Sequence, residues 1–268
     1  MLIAAAALAV GAVVGLLSGL AGIGGGVLMV PFLYLLYGSL HVAPADATAM
    51  AHATSLMVIV PTAIRGLVGF RGSGLVQWRT ALPLSLAAAS GAALTAHVAT
   101  QLPGPALRVG FGIFLLVVAV DLFLRTTHHD DMPDPGGRHT LGALLLGLPV
   151  GALSAALGVG GGIPATMGMH YVLKMPFRSI PPTSLVLITL TGLAGGVSYL
   201  LQPTSGIPFG GVVGHVDFLH GLPMAAGAVL AAPFGVRLNR RSTVPRLRRI
   251  FGVILLGLGV DLILENLL

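Results

Sequence analysis

Residues Gly15 to Gly26 read GLLSGLAGIGGG, and residues Gly151 to Gly162 read GALSAALGVGGG; 7 of the 12 positions are identical at an offset of 136. Further blocks recur in the same order. Thr54-Ser55-Leu56 returns as Thr183-Ser184-Leu185, and Leu82-Pro83 as Leu222-Pro223. LRVGFGIFLL from Leu107 matches LRRIFGVILL from Leu247 at an offset of 140, which also carries Val120-Asp121-Leu122 onto Val260-Asp261-Leu262. Self-similarity in several ordered blocks is the signature of an internal repeat. The chain is two homologous halves, 1–124 and 141–268, joined by a linker, 125–140, whose core TTHHDDMPDPGGRH (126–139) is polar.

Each half holds an apolar arm (2–20; 140–157), a glycine break (22–26; 158–162), a short arm (27–38; 163–173) and three longer apolar spans. Those spans are 45–64, 80–99 and 106–124, then 179–201, 219–236 and 250–267. The 268 residues are 55% hydrophobic and only 8% charged, with a mean hydropathy of +0.96. A soluble domain carries roughly a quarter charged residues. Apolar stretches of about 20 residues instead match the width of a bilayer. The class is therefore an all-α membrane protein. The 39 Gly and 18 Pro suit close helix packing and helix breaks in a membrane. The net charge of +6 sits between apolar spans, where membrane topology places it, so nucleic acid is not the expected partner. Cys is absent, which removes disulfides and thiolate metal sites. The first apolar stretch has no basic residue before Arg65 and recurs inside the chain, which reads as a retained membrane segment rather than a signal peptide.

The short arms decide the topology. Twelve helical residues rise about 18 Å, less than a hydrocarbon core of about 30 Å. If each arm–glycine–arm unit is one broken span, the halves are parallel and the 14 basic residues split 9 to 5 between the two faces. If each unit is a hairpin returning to its starting side, the halves are inverted and every basic residue except Arg108 falls on one face, 13 to 1. Basic residues concentrate on the cytoplasmic side. The expected fold is two inverted repeats, each a glycine-tipped helical hairpin plus three transmembrane helices, with periplasmic termini and a cytoplasmic linker.

Irregular backbone inside a membrane is tolerated only when buried in protein or lining a watery cavity. Glycine accepts positive φ and lets a ligand approach the backbone. A helix starts immediately after each break, so its free N–H groups and positive dipole end face the break, which suits an anion. Gly24, Gly25, Gly26, Gly160, Gly161 and Gly162 are the expected backbone donors. Thr54, Ser55, Thr183 and Ser184 are candidate hydroxyl ligands; the competing reading is back-bonding to helix carbonyls. Ser18 and Ser154, on the long arms, read as packing residues, as do Gly11, Gly15 and Gly19 at four-residue spacing. His52 has no counterpart, since position 181 is Pro. It reads either as structural or as a proton carrier. Asp121 and Asp261 read as interfacial caps. The run His128-His129-Asp130-Asp131 lies in the linker and is not expected to hold a metal. No nucleophile elbow, HExxH or Walker loop is present, so no catalytic residue, metal or cofactor is expected.

The motif GLLSGLAGIGGGVLMVP near the start, its mid-chain copy GALSAALGVGGGIP and the Thr-Ser-Leu blocks after them resemble the TauE/SafE sulfite exporter family of membrane permeases, over essentially the whole chain. The resemblance implies secondary transport, without ATP, of small sulfur-containing or organic anions across the bacterial cytoplasmic membrane, with sulfite, thiosulfate and sulfonates as examples. Two features depart from the pattern: His52, and Met167 where the first copy has Pro31. The expected function is a secondary anion permease that holds its substrate between the two glycine tips. An anion channel and a membrane scaffold or assembly protein are the alternatives. The expected partners are a small anion and the lipid bilayer, with self-association into a homo-oligomer compatible with the sequence.

Overall fold

The computed structural model describes residues 2–22, 24–124, 139–204, 207–241 and 245–267. The linker core, with His128-His129-Asp130-Asp131, and Ile23 lie outside the described residues. The first half forms α1 (Leu2–Ala21), α2 (Gly26–Ser39), α3 (Pro44–Gly69), α4 (Trp78–Ala99) and α5 (Gly104–Leu124). The second forms α6 (His139–Leu157), α7 (Gly162–Tyr171), a 3-10 turn (Phe177–Ser179), α8 (Ile180–Leu200), α9 (Phe218–Arg241) and α10 (Pro245–Leu267). Before α9, the two-residue strands β1 (Val212–Val213) and β2 (Val216–Asp217) pair antiparallel.

Seven helices are long and apolar enough to cross a membrane, among the described residues. The chain is thus an all-helical, multi-pass membrane protein. The short arms become helices of 14 and 10 residues, α2 and α7, neither long enough to cross alone. Some ends differ from the hydropathy reading. α3 runs on to Gly69 and α9 to Arg241, so Arg65 sits on the last turns of a helix rather than in a loop. Apolar windows stop at the first charge, but a helix continues while its backbone bonds are met, and an exposed arginine can reach the polar boundary.

Glycines set how closely the helices approach. A methyl at Gly11 would lie 2.0 Å from Met224 O, at Gly15 2.0 Å from Ala228 O, and at Gly19 2.2 Å from Ala232 O. α1 therefore lies backbone to backbone on α9 and runs in the same direction. The counterparts repeat this contact. A methyl at Gly147 would lie 2.4 Å from Leu84 O and one at Gly151 1.8 Å from Ala88 O, so α6 lies on α4, again in the same direction. Each half's first helix is thus seated on the other half.

The central helices pass in opposite directions. Gly192 of α8 faces Leu56 of α3, while Gly66 of α3 faces Leu185 of α8. α5 and α10 do the same, with Gly112 against Ile263 and Gly252 against Phe123. α3 and α9 share a direction, shown by Gly221 on Thr54 and Gly69 on Val236. α4 and α8 also share one: Gln77 N–H donates to Thr183 Oγ1, and Ser198 Oγ donates to Ala93 O. α3 and α8 are the most enclosed, with 78% and 61% of their apolar windows buried, against 39–44% for the other spanning helices. The outer helices turn large apolar side chains such as Leu94, Leu145 and Leu230 outward, as a lipid-facing surface requires.

Candidate functional site

Each glycine break is built from left-handed backbone at matching positions. Gly22, Gly24 and Gly25 have φ of 63°, 81° and 74°; Gly158, Gly160 and Gly161 have 66°, 73° and 75°. An L-residue pays roughly 1–2 kcal/mol for each such conformation, so glycine is the residue this path calls for. The first helix of each pair closes with Gly22 N–H on Ser18 O at 2.9 Å, or Val159 N–H on Ser154 O at 3.1 Å. The second starts with its N-cap glycine, Gly25 or Gly161. Met29 N–H reaches Gly25 O at 3.3 Å and Ala165 N–H reaches Gly161 O at 2.9 Å. The N–H groups ahead of those first bonds, on Gly26 and Val27 and on Gly162 and Ile163, belong to the exposed positive end of a helix dipole.

The two breaks meet. A methyl at Gly26 would lie 2.6 Å from Gly158 O and from Val159 Cα, and one at Gly24 3.3 Å from Val159 O. Ile59 of α3 and Ile188 of α8, repeat counterparts, close over them. Ile59 Cδ1 would be 3.1 Å from a methyl at Gly160, and Ile188 Cδ1 3.4 Å from one at Gly24. Every described residue of both breaks is buried within the fold. The structure therefore brings Gly24, Gly25, Gly26, Gly160, Gly161 and Gly162 to one enclosed place.

The predicted hydroxyls differ in their commitments. Thr54 Oγ1 accepts the Asp217 N–H at 2.9 Å, and Thr183 Oγ1 accepts the Gln77 N–H at 3.2 Å. These are matching bonds in the two halves. Ser184 Oγ lies 2.8 Å from both Gly22 O and Pro181 O, so its proton serves the break itself. Ser55 Oγ contacts only the Met29 sulfur, at 3.8 Å. All four are fully buried.

Ser18 and Ser154 read from sequence as packing residues. Both side chains are fully buried and without a hydrogen-bond partner. Ser154 Oγ lies 3.4 Å from where a methyl on Gly161 would stand. A buried hydroxyl with no partner costs free energy unless something fills the vacancy. The sequence did carry a signal, since both serines belong to the repeated motif.

His52 is fully buried where α3 meets the second break, its Cα 2.5 Å from the position of a methyl on Gly158. Its counterpart Pro181 meets Gly22 in the same way. His52 Nε2 lies 2.5 Å from Tyr34 Oη, and its Nδ1 has no partner. The Arg108 guanidinium stacks over the Tyr34 ring at 4.8 Å and donates from Nε to Thr48 Oγ1 at 2.9 Å. Asp121 accepts from Tyr171 Oη at 2.8 Å, tying α5 to the end of α7. The expected cap is thus a bond between the halves. Sequence reading missed a further buried cluster of Tyr37, Asp217 and His220, because it joins residues 180 positions apart.

A multi-pass helical bundle in which two glycine breaks, each followed by a short helix, pack against each other matches a class, the membrane permeases with broken helices. The chain belongs to the sulfite exporter TauE/SafE family, whose model matches residues 7–262. It is a membrane transporter and not an enzyme. It is 24% identical to the probable membrane transporter protein YunE of Bacillus subtilis over 274 residues, covering 96% of each chain. It is 27% identical to a probable membrane transporter protein of Methanocaldococcus jannaschii, covering 95% of this chain and 93% of that one. A probable membrane transporter protein of Xylella fastidiosa is 25% identical over 94% of this chain and 92% of its own. No solved structure matches the chain.

Proposed function

We propose that this protein is a secondary transporter of a small anion, a sulfur oxyanion such as sulfite or an organosulfonate, held between the two glycine breaks. The observation that carries the reading is the contact between the two glycine breaks, Gly24 and Gly26 against Gly158 and Val159, each break followed by a helix that starts at a left-handed N-cap glycine, Gly25 or Gly161. The residues named at the breaks carry no formal charge, so binding rests on amide dipoles and hydroxyls. That suits an anion which must also be released. Gly24, Gly25, Gly26, Gly160, Gly161 and Gly162 supply backbone donors. Thr54, Ser55, Thr183 and Ser184 form the hydroxyl shell, and the unpartnered Ser18 and Ser154 complete it. Complete burial of the breaks favours a carrier in an occluded state over an open channel. A panel of sulfur oxyanions added to purified protein tests the reading: the true substrate raises the thermal midpoint with a saturating dose dependence. No stabilisation by any member of the panel refutes it.

In this reading the halves are inverted, the protein lies in the inner membrane, and both termini are periplasmic. The opposite courses of α3 and α8, and of α5 and α10, support it, together with the 13-to-1 split of basic residues. Tags at both termini should be reached by an impermeant reagent on intact cells, and a tag in the 125–140 linker should not. Termini found on opposite faces would remove the inverted arrangement.

His52 is the proton carrier at the breaks in this reading, supported by the packing of its Cα, Cβ and Cδ2 against Gly158 and by an Nδ1 without a partner. His52→Gln should flatten the pH dependence of transport while anion-induced stabilisation persists. An unchanged pH profile would leave His52 as a packing residue bonded to Tyr34.

A further inference from the structure

Asp217 ends β2 and directly precedes α9, and it is fully buried. One of its oxygens does ordinary work: Oδ1 accepts the His220 N–H at 3.1 Å, as a helix N-cap does. The other does more. Oδ2 accepts the Tyr37 O–H at 3.1 Å and lies 2.6 Å from His220 Nδ1. The Asp217 N–H donates to Thr54 Oγ1, itself 3.3 Å from Tyr37 Oη. One closed network thus joins α2, α3 and α9.

The repeat separates the structural part of this network from the rest. The threonine that accepts a backbone N–H ahead of the next helix is common to both halves, as Thr54 with Asp217 and Thr183 with Gln77. The titratable groups are not. Asp217, His220 and Tyr37 correspond to Gln77, Thr80 and Leu173. The second half seats its helix on the first with a carboxylate and an imidazole, and the first seats its helix on the second with neither. A buried carboxylate is costly to desolvate, and an uncharged Asn or Ser caps a helix as well.

We propose that the Asp217–His220 pair is a second proton-binding site, besides His52, and the one that couples transport to a proton gradient. The inference rests on the transport reading above. A carboxylate only accepts hydrogen bonds, so Nδ1 carries the imidazole proton and Nε2 receives the incoming one from water. The bond formed is Nε2–H, and the pair passes from a net charge of −1 to zero as Asp217 balances the imidazolium. Release of that proton to water restores the starting state.

The titratable groups on the elements packed beside the pair are few. α2 brings Tyr37, and Tyr34 one turn before it. α3 brings His52 and, near its start, Asp46; α8 brings Tyr199; α1 brings none. In the turn between β1 and β2, burial pushes His215 below its ordinary value. Arg108 is engaged by Tyr34 and Thr48.

Two assays in proteoliposomes test the inference, with sulfite as the probe: exchange at equal pH, and accumulation under an imposed proton gradient of either polarity. Asp217→Asn keeps the capping oxygen but not the carboxylate, and His220→Gln keeps a polar side chain without an imidazole. Both are expected to lose gradient-driven accumulation while retaining exchange. Tyr37→Phe, which removes the hydroxyl's contacts with Asp217 and Thr54 and leaves the pair, should retain both. A merely structural role would lower yield without separating the two assays. If Asp217→Asn and His220→Gln insert and still accumulate sulfite as wild type does, the inference is overturned. If wild type shows no exchange, the transport reading fails and takes the inference with it. Should neither variant insert, the nitrogen resonances of His220 in the wild-type protein decide. They must change protonation state between about pH 5 and about pH 8, and a constant state overturns the inference.

Discussion

Gly151→Val is expected to prevent the folded protein from accumulating in the membrane. A first side-chain carbon at this position would lie 1.8 Å from Ala88 O and 2.5 Å from Ala88 C, atoms of the α4 backbone that cannot turn aside as a side chain can. Overpacking a well-fitted core typically costs ~1–3 kcal/mol. Here helix α6 must separate from α4, so we expect the upper end of that range or beyond. Membrane helices gain association energy from close backbone approach rather than from hydrophobic transfer, so separation removes much of what holds the pair. Gly15→Val, its counterpart against Ala228 O, should behave alike. Gly110→Val meets nothing within 4 Å of the added carbon and serves as the control. Expression and size-exclusion profiles of the three variants provide the check. A Gly151→Val protein as stable as Gly110→Val would contradict the backbone contact between the halves.

Gly161→Val should leave an inserted protein that no longer transports. Its backbone, at φ 75°, is strained for any residue with a side chain, at roughly 1–2 kcal/mol. The added carbon would lie 2.9 Å from Leu187 Cδ2, 3.3 Å from Ser154 Cβ and 3.4 Å from Ser154 Oγ, and the tightest of these contacts is the end of a side chain that can shift. The fold therefore survives a change that fills the space beside the α7 N-terminus. Losing one hydrogen bond to a charged anion costs roughly 1.5–3 kcal/mol, which is about one to two decades of affinity. Ser154→Ala separates binding from packing, since it adds no volume and removes only the hydroxyl. It should weaken anion stabilisation while insertion stays normal. Wild-type transport rates in a folded Gly161→Val protein would show that the breaks are not the binding site.

The glycine breaks were legible in the sequence because their constraint is local. Positive φ at three positions in a row of close neighbours demands glycine whatever the surroundings, and the duplication shows the demand twice. The packing role of Gly11, Gly15 and Gly19 was legible for the same reason, through their four-residue spacing. Which helix they pack against was not. The partner is α9, more than 200 residues away, and only the folded bundle supplies it.

The hydroxyls show the limit more sharply. Thr54 and Thr183 stand out in the sequence as a repeated Thr-Ser pair, yet each is already engaged by a backbone N–H from just ahead of another helix. Ser18 and Ser154 were read as packing, and their hydroxyls, like that of Ser85, have no hydrogen-bond partner. Periodicity assigns a residue to a face of a helix but not to a hydrogen-bond partner, and partners decide which polar groups remain available. The Asp217–His220 pair was invisible for a related reason. A single acidic residue before a helix looks like a cap, and only the arrival of Tyr37 from α2 shows that its second oxygen is engaged elsewhere.

The central claim is that one small anion is carried by a site between the two breaks. The most direct measurement is trans-stimulated exchange of labelled sulfite in proteoliposomes containing the purified protein. A carrier with one enclosed site predicts a saturable flux that accelerates when unlabelled sulfite, or the sulfur oxyanion that best stabilises the protein, is placed on the opposite side. A flux that rises without saturation and ignores the opposite side, or no flux for any sulfur oxyanion, would contradict it.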